Sequence, residues 1–357
     1  MRLEQLTFTR FIAAIAIVVF HFGSGAYPFN NEKIGFIIHQ ANVGVSYFYI
    51  LSGFIMVVAY SSLEKINTLS FLRNRFARIY PLLFLSVVIL FLQTYFFDPN
   101  FSFGIIKDAI INLSLLQAWI PSKALIFNGP AWSLSVEVFF YLIFPFLFNK
   151  FFFRRKLWVV TIVVIVFWII SQMTLYYLSN SSFNKGYPSP SHAFIFFFPV
   201  MHLSAFLMGN LGGVFFIKKL AGKSGRYDIA VVLSIIFFIL FLKHHPFGLN
   251  YHNGLLAVIF VPFIIFMCIN RGIVTRVLNT RFFIVLGEIS FGIYILQLPV
   301  FRLTTSIVRQ LNITHDPQNL FYISFAVLII LSTLSYYYFE TPVRNIIKTI
   351  KIKSFRV

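Results

Sequence analysis

Apolar and polar positions fall into blocks along this chain. Apolar runs near the length that crosses a bilayer as a helix, about 18 residues or more, recur from one end to the other with short polar segments between them. Their pattern predicts ten helical spans, at about residues 6–24, 43–60, 79–97, 131–148, 157–178, 192–217, 229–242, 254–269, 282–300 and 319–339. The seventh and eighth are short and joined by Lys243-His244-His245-Pro246. The runs are continuous rather than alternating, which excludes a β-barrel and predicts an all-α polytopic membrane protein. In the connection 98–130, Ile105, Ile106, Ala109, Ile110, Leu113 and Leu116 recur at helical spacing, with Lys107, Asp108, Asn112 and Ser114 between them. That pattern predicts an amphipathic helix at the outer leaflet, serving as a connector or as a lid or wall. Gly209 and Gly213 form a GxxxG match that close helix packing explains. No repeat or separate soluble domain is legible, so residues 1–357 read as one integral-membrane domain.

Composition sharpens the class. Hydrophobic residues make up 59% of the chain and charged residues 11%, and mean hydropathy is +0.85, far from the balance of a soluble domain. The net charge of +19 raises nucleic acid as a partner, and its distribution removes it. With the N-terminus in the cytoplasm, 22 of the 29 cations fall in cytoplasmic segments. Seven remain outside: Lys33, Lys107, Lys123, Lys185, Lys243, Arg302 and Arg309. This asymmetry is the positive-inside signature and predicts an even number of spans with both termini cytoplasmic. The start of the chain has the look of a signal peptide, but an uncleaved first span is the expectation. Cys268 is the one cysteine, so no intramolecular disulfide forms. His192, His202, His244, His245, His252 and His315 lack ligand-like spacing, so no metal site is expected.

Polar groups inside apolar spans are then the anomalies. Arg10 and His21 are separated by ten uncharged residues. In a regular helix they would share one stripe, roughly 16 Å apart along the axis. Two readings stand: snorkelling of Arg10 with His21 at the far end, or a functional pair facing an interior. Glu137 enters the fourth span about one and a half turns from its outer end, where a carboxylate needs a partner or a proton. His21 is expected at a similar depth, making a Glu–His pair possible; the other reading is a structural bond to an arginine or serine. Arg75 and Arg78 share a helical face at the cytoplasmic mouth of the third span. Their guanidinium forks suit phosphate and equally suit anchoring against anionic lipid. Ser52 and Gly53 allow close approach of a helix or a slender ligand. The ninth span carries Glu288, Ser290 and Gln297, and Glu340 leaves the last span within reach of an arginine.

With these stretches in hand, the chain resembles the acyltransferase-three family of bacterial integral-membrane O-acyltransferases. The resemblance rests on Arg10 with His21, the segment 48–54, Arg75-Phe76-Ala77-Arg78-Ile79-Tyr80-Pro81, the segment 132–145 around Glu137, and Glu340-Thr341-Pro342-Val343-Arg344, in the family's order. It implies transfer of an acyl group, commonly acetyl, from cytoplasmic acyl-CoA to a hydroxyl of a cell-surface or lipid-linked glycan, by a multi-pass protein of the bacterial cytoplasmic membrane. It also implies a stand-alone member without an extra esterase-like domain. Acyl-CoA would be a co-substrate and not a bound cofactor; the partners would be acyl-CoA, the glycan acceptor and membrane lipids. By the same resemblance His21 is catalytic, Arg10 lies near the donor path, Arg75 and Arg78 hold CoA phosphates, Glu137 orients or charge-balances the site, and Ser135 and Gln297 contact substrate. One departure stands out. Many members carry a histidine after a Tyr-Ile-Leu like that at 294–296, and here Gln297 occupies the position, able to hydrogen-bond but not to relay a proton. The rival reading is a transporter or flippase for a glycolipid or small acid, with the buried polar groups lining its path; no inverted repeat or pair of broken helices supports it.

Overall fold

The computed structural model describes residues 3–98, 102–244 and 250–349. Arg2, His245, Lys351, Lys353, Arg356 and part of the 98–130 connection lie outside the described residues. The described residues form sixteen α-helices, short connecting turns and no strand, with one isolated bridge between Gly225 and Asn270. The helices are α1 Thr7–Val18, α2 Glu32–His39, α3 Val43–Tyr60, α4 Thr68–Phe97, α5 Phe103–Leu113, α6 Trp132–Leu147, α7 Leu157–Asn180 and α8 Pro190–Phe197. Then follow α9 Leu203–Phe215, α10 Asp228–His244, α11 Ala257–Ile269, α12 Ile273–Leu278, α13 Arg281–Glu288, α14 Ser290–Gln310, α15 Pro317–Ser335 and α16 Thr341–Thr349. Eight helices of the described residues are long and apolar enough to cross a membrane, so the protein is an all-α polytopic membrane protein.

α10 has 17 residues and α11 has 13, shorter than the other eight apolar helices, as the short seventh and eighth spans of the sequence pattern lead one to expect. These two pack on each other as a pair. The ninth span does not run from 282 to 300. The helix breaks at Ile289, between α13 and α14, and the membrane-length element is Ser290–Gln310. The break has a packing cause: at Gly287 a side chain would fall 2.2 Å from the Thr7 carbonyl oxygen, so α13 abuts α1 there. Ser290 Oγ then donates to the Gly287 carbonyl at 2.6 Å, occupying that backbone acceptor at the break. The last turn of α1, Val19–Gly23, widens to a π turn that carries His21.

α3 is the central helix; 72% of its apolar window is buried, against 11% for α7 at the periphery. Lipid is as apolar as a leucine side chain, so close van der Waals packing holds such helices together. Small residues supply it here. A Cβ on Gly209 would lie 2.0 Å from Ile50 O, and one on Gly53 would lie 2.3 Å from Phe206 O. Gly213 meets Phe54 O and Val57 in the same seam, so the GxxxG match and Gly53 both serve the α3–α9 contact.

The amphipathic expectation for 98–130 is met by α5, whose Asp108 pairs with Lys123 at 2.9 Å. Buried amides tie the segment into the bundle. Pro299 sits inside α14 and has no N–H, so the Ile295 carbonyl loses its helical donor. Asn128 Nδ2 donates to that carbonyl at 3.1 Å and to Ser86 Oγ at 3.1 Å. Gln93 Nε2 donates to Pro299 O at 2.8 Å. Such side-chain substitution is how a proline-broken helix is tolerated in lipid. It also fixes α14 at the turn that carries Gln297.

Candidate active site

Four of the ionisable residues singled out in the sequence line one cavity. Arg10 from α1, Arg75 and Arg78 from α4, and Glu137 from α6 border a narrow space of about 260 Å³ along α3. Its α3 wall runs from Val45 to Ala59, about 21 Å of helix axis, so the cavity is a channel following most of the bundle's depth. A second space of about 350 Å³ adjoins it, with Thr7, Arg10, Arg75, Arg78 and Phe291 as shared wall and Glu288, Glu340, Arg344 and Lys348 beyond.

The arginine end is charged beyond neutrality. Five cations, Arg10, Arg75, Arg78, Arg344 and Lys348, face three carboxylates, Glu137, Glu288 and Glu340. Each of the three carboxylates acts electrostatically on Arg10 and Arg78. Glu340 approaches Arg344 at 3.9 Å one turn away, the pairing anticipated for it. The Arg75 guanidinium lies 5.2 Å from the Phe71 ring, 5.6 Å from Tyr141 and 5.9 Å from Tyr60. Aromatic faces orient the fork without using its N–H groups, and its buried Nε has no hydrogen-bond partner among the described residues. Surplus positive charge with donors in reserve in a low-dielectric site suits a phosphorylated anion.

Glu137 is placed by its own helix. Tyr141 follows at i+4, on the same face, and donates to Glu137 Oε1 at 2.5 Å; Ser52 of α3 donates to the same oxygen at 3.3 Å. Glu137 is therefore gathered with the arginines and is not brought to His21 by any hydrogen bond or ion pair of the described residues. The far end of the channel is lined by Ser133 and Tyr294. The Tyr294 hydroxyl lies 2.8 Å from Ser133 Oγ and 3.0 Å from Pro130 O.

One turn beyond Tyr294 stands Gln297, fully buried. Its Nε2 donates to Tyr294 O at 2.7 Å, which turns Oε1 toward His21. His21 Nδ1–H donates to that oxygen at 2.9 Å. Because Oε1 can only accept, Nδ1 must carry the proton, and Nε2 of the neutral ring is left with a free lone pair. The His21 side chain is exposed at the end of the bundle opposite the arginines, flanked by Phe20 and Phe22.

Ser135 is placed differently from the expectation. It is fully buried, its hydroxyl donates to Leu115 O at 2.6 Å, and it borders neither arginine cavity. Ser133, two residues earlier, takes a place on the channel wall, along with Tyr49 and Tyr294, which the sequence reading passed over. Ser133 and Glu137 are four apart, and that helical spacing would have selected Ser133 over Ser135.

A profile of the acyltransferase domain family matches residues 3–338. Among curated proteins, the chain is 32% identical to an acyltransferase, MdmB, of Streptomyces mycarofaciens over 58% of this chain and 56% of that protein. It is 26% identical to the peptidoglycan O-acetyltransferase OatA of Listeria monocytogenes over 94% of this chain and 55% of that protein. It is 22% identical to the O-acetyltransferase OatA of Staphylococcus aureus over 87% of this chain and 55% of that protein. The chain thus spans about half the length of the curated relatives it matches. No solved structure matches it.

Proposed function

Since the chain belongs to the acyltransferase domain family, we propose that it transfers an acyl group, acetyl in the first instance, from acyl-CoA at the arginine end to a hydroxyl of a glycan or lipid-linked sugar at the His21 end. The relatives named as O-acetyltransferases, one of them acting on peptidoglycan, support the reaction class and a saccharide acceptor. The observation that carries the donor side is the channel. It joins a phosphate-suited arginine cluster to Tyr294, one helical turn from the residue that holds His21. CoA has an anionic nucleotide at one end and a thioester at the end of a slender arm, and the cavity has a cationic mouth and a narrow apolar run.

In this reading Arg75, Arg78 and Arg10 hold the CoA phosphates, and Glu137 limits their mutual repulsion. His21 Nε2 removes the acceptor hydroxyl proton as the oxygen attacks the thioester carbonyl. The C–S bond breaks, and the departing thiolate takes the proton from the imidazolium, so the ring ends neutral. Gln297 holds the tautomer in which Nε2 is the base. The arginine end faces the cytoplasm of a bacterial plasma membrane, in keeping with the positive-inside count, and residues 1–357 act as one unit.

The experiment is incorporation of labelled acetyl from acetyl-CoA into cell-wall saccharide by membranes carrying wild-type protein or His21→Ala. Loss of incorporation in the variant is expected; equal incorporation in both overturns the histidine assignment. A transporter sharing the same path would move solute without releasing free CoA, so a thiol assay of the same reactions separates the two.

A further inference from the structure

Two further cavities lie away from the arginine channel and the His21–Gln297 pair, and they touch each other. The first, about 750 Å³, is lined by His39, Gln40 and Asn42 before α3, by the end of α7 and by 250–255. Its volume is that of a small-molecule site. Among the described residues no Lys, Arg, Asp or Glu lines it, and burial holds the His252 imidazole down to about 4, neutral near pH 7. Polar groups are nevertheless abundant and partly unused. Gln40 Nε2 donates to Leu242 O at 3.0 Å while its buried Oε1 has no partner among the described residues, and neither has Ser179 Oγ. Tyr176, Tyr177 and Tyr251 add ring faces.

The second cavity, about 510 Å³, is wholly apolar, between α1, α3, α10 and α11. The partition between the two is the chain at 40–43. Gln40 and Asn42 line the polar cavity, Ala41 lines the apolar one, and Val43 borders both. Leu242, whose carbonyl holds Gln40, lines the apolar side.

An amide-rich and tyrosine-rich space without Lys, Arg, Asp or Glu among the described residues, set against an apolar groove across the chain at 40–43, is complementary to one amphiphile. We propose that the paired cavities bind an uncharged glycolipid, with its sugar headgroup among Gln40, Asn42, Gln172 and Tyr177 and its aliphatic chain in the groove along Ala13, Gly44 and Phe260. Neutral hydroxyls satisfy the unused amide and hydroxyl groups without burying a charge, and tyrosine rings pack on sugar faces while keeping a polar tip. A phospholipid headgroup would leave its charge without a counter-ion in this space. The inference rests on the two cavities and not on acyl transfer, and it is read without turnover, so the two stand or fall separately.

The test uses the full-length protein in nanodiscs with a monoglucosyl diacylglycerol carrying a photoreactive diazirine on one acyl chain. A matching diazirine phosphatidylglycerol is the comparison. Mass spectrometry is expected to place the glucosyl probe on peptides containing Ala13, Gly44 or Phe260. Unlabelled glucosyl lipid should suppress that labelling at least fivefold, and equal phosphatidylglycerol should not. Gln40→Leu should lower labelling at least fivefold. Tyr177→Ala, at an exposed rim position that carries no fold contact of note, should lower it about threefold with an unchanged elution profile. Equal labelling by both probes, labelling elsewhere, or wild-type labelling in both variants overturns the proposal.

Discussion

At the scale of single residues, the account turns on Gln297. A histidine there could share or relay a proton; a glutamine can only hold His21 in one tautomer, and its own bond to Tyr294 O dictates which. Gln297→Leu is therefore expected to lower kcat by about ten- to a hundredfold, with KM for acyl-CoA little changed, because a base loses its orientation and not its lone pair. Gln297→Glu keeps an acceptor facing Nδ1 and should retain more activity than the leucine variant; the reverse order would remove the tautomer argument. At the other end, Arg75→Gln is expected to raise KM for acyl-CoA about tenfold, equivalent to about 1.4 kcal/mol of lost binding. Its effect on kcat should be smaller, as checked by steady-state kinetics in detergent. Arg10, His21, Glu137, Arg75 and Arg78 were all legible as ionisable groups in apolar surroundings. Their grouping was not. The depth of Glu137 on its helix suggests His21 as a neighbour, and only the packing of α3, α4 and α6 shows that it meets the arginines. Ser135, assigned by resemblance, is set by the structure on a loop carbonyl and off the channel wall, a placement its position in the motif does not display.

At the scale of elements, the seam between α3 and α9 and the amide-bonded proline turn in α14 fix helices that line the channel. Gly209→Val would drive a side chain into the Ile50 carbonyl, and the loss of monodisperse, folded protein in size-exclusion chromatography is the expected result. Gly25→Ala, where nothing lies within 4 Å of the added atom, should behave as wild type. Asn128→Leu strips the donor from Ile295 O and leaves a buried carbonyl unmet, a cost of about 1–3 kcal/mol; a lowered Tm in a thermal-shift assay checks it. Helix number and order were largely readable because apolar runs are strong signals. The break at Ile289 was not, since it coincides with the close packing of Gly287 against Thr7 on another helix, which the sequence does not display. The π turn at Val19–Gly23 was hidden too: a widened turn changes the backbone hydrogen-bond pattern without changing composition.

At the scale of the whole molecule, the distribution of cations and the direction of the channel make the same claim. On the proposed reading, the arginine cluster is the donor end, His21 is the acceptor end, and the depth of the bundle separates the two. The direct measurement is acetyl incorporation in sealed vesicles of known sidedness, with labelled acetyl-CoA and a membrane-impermeant saccharide acceptor supplied on chosen sides. The account predicts product only when acetyl-CoA is on the arginine side and the acceptor on the opposite side. Product formed with both substrates on one side, or with acetyl-CoA on the His21 side, would contradict it.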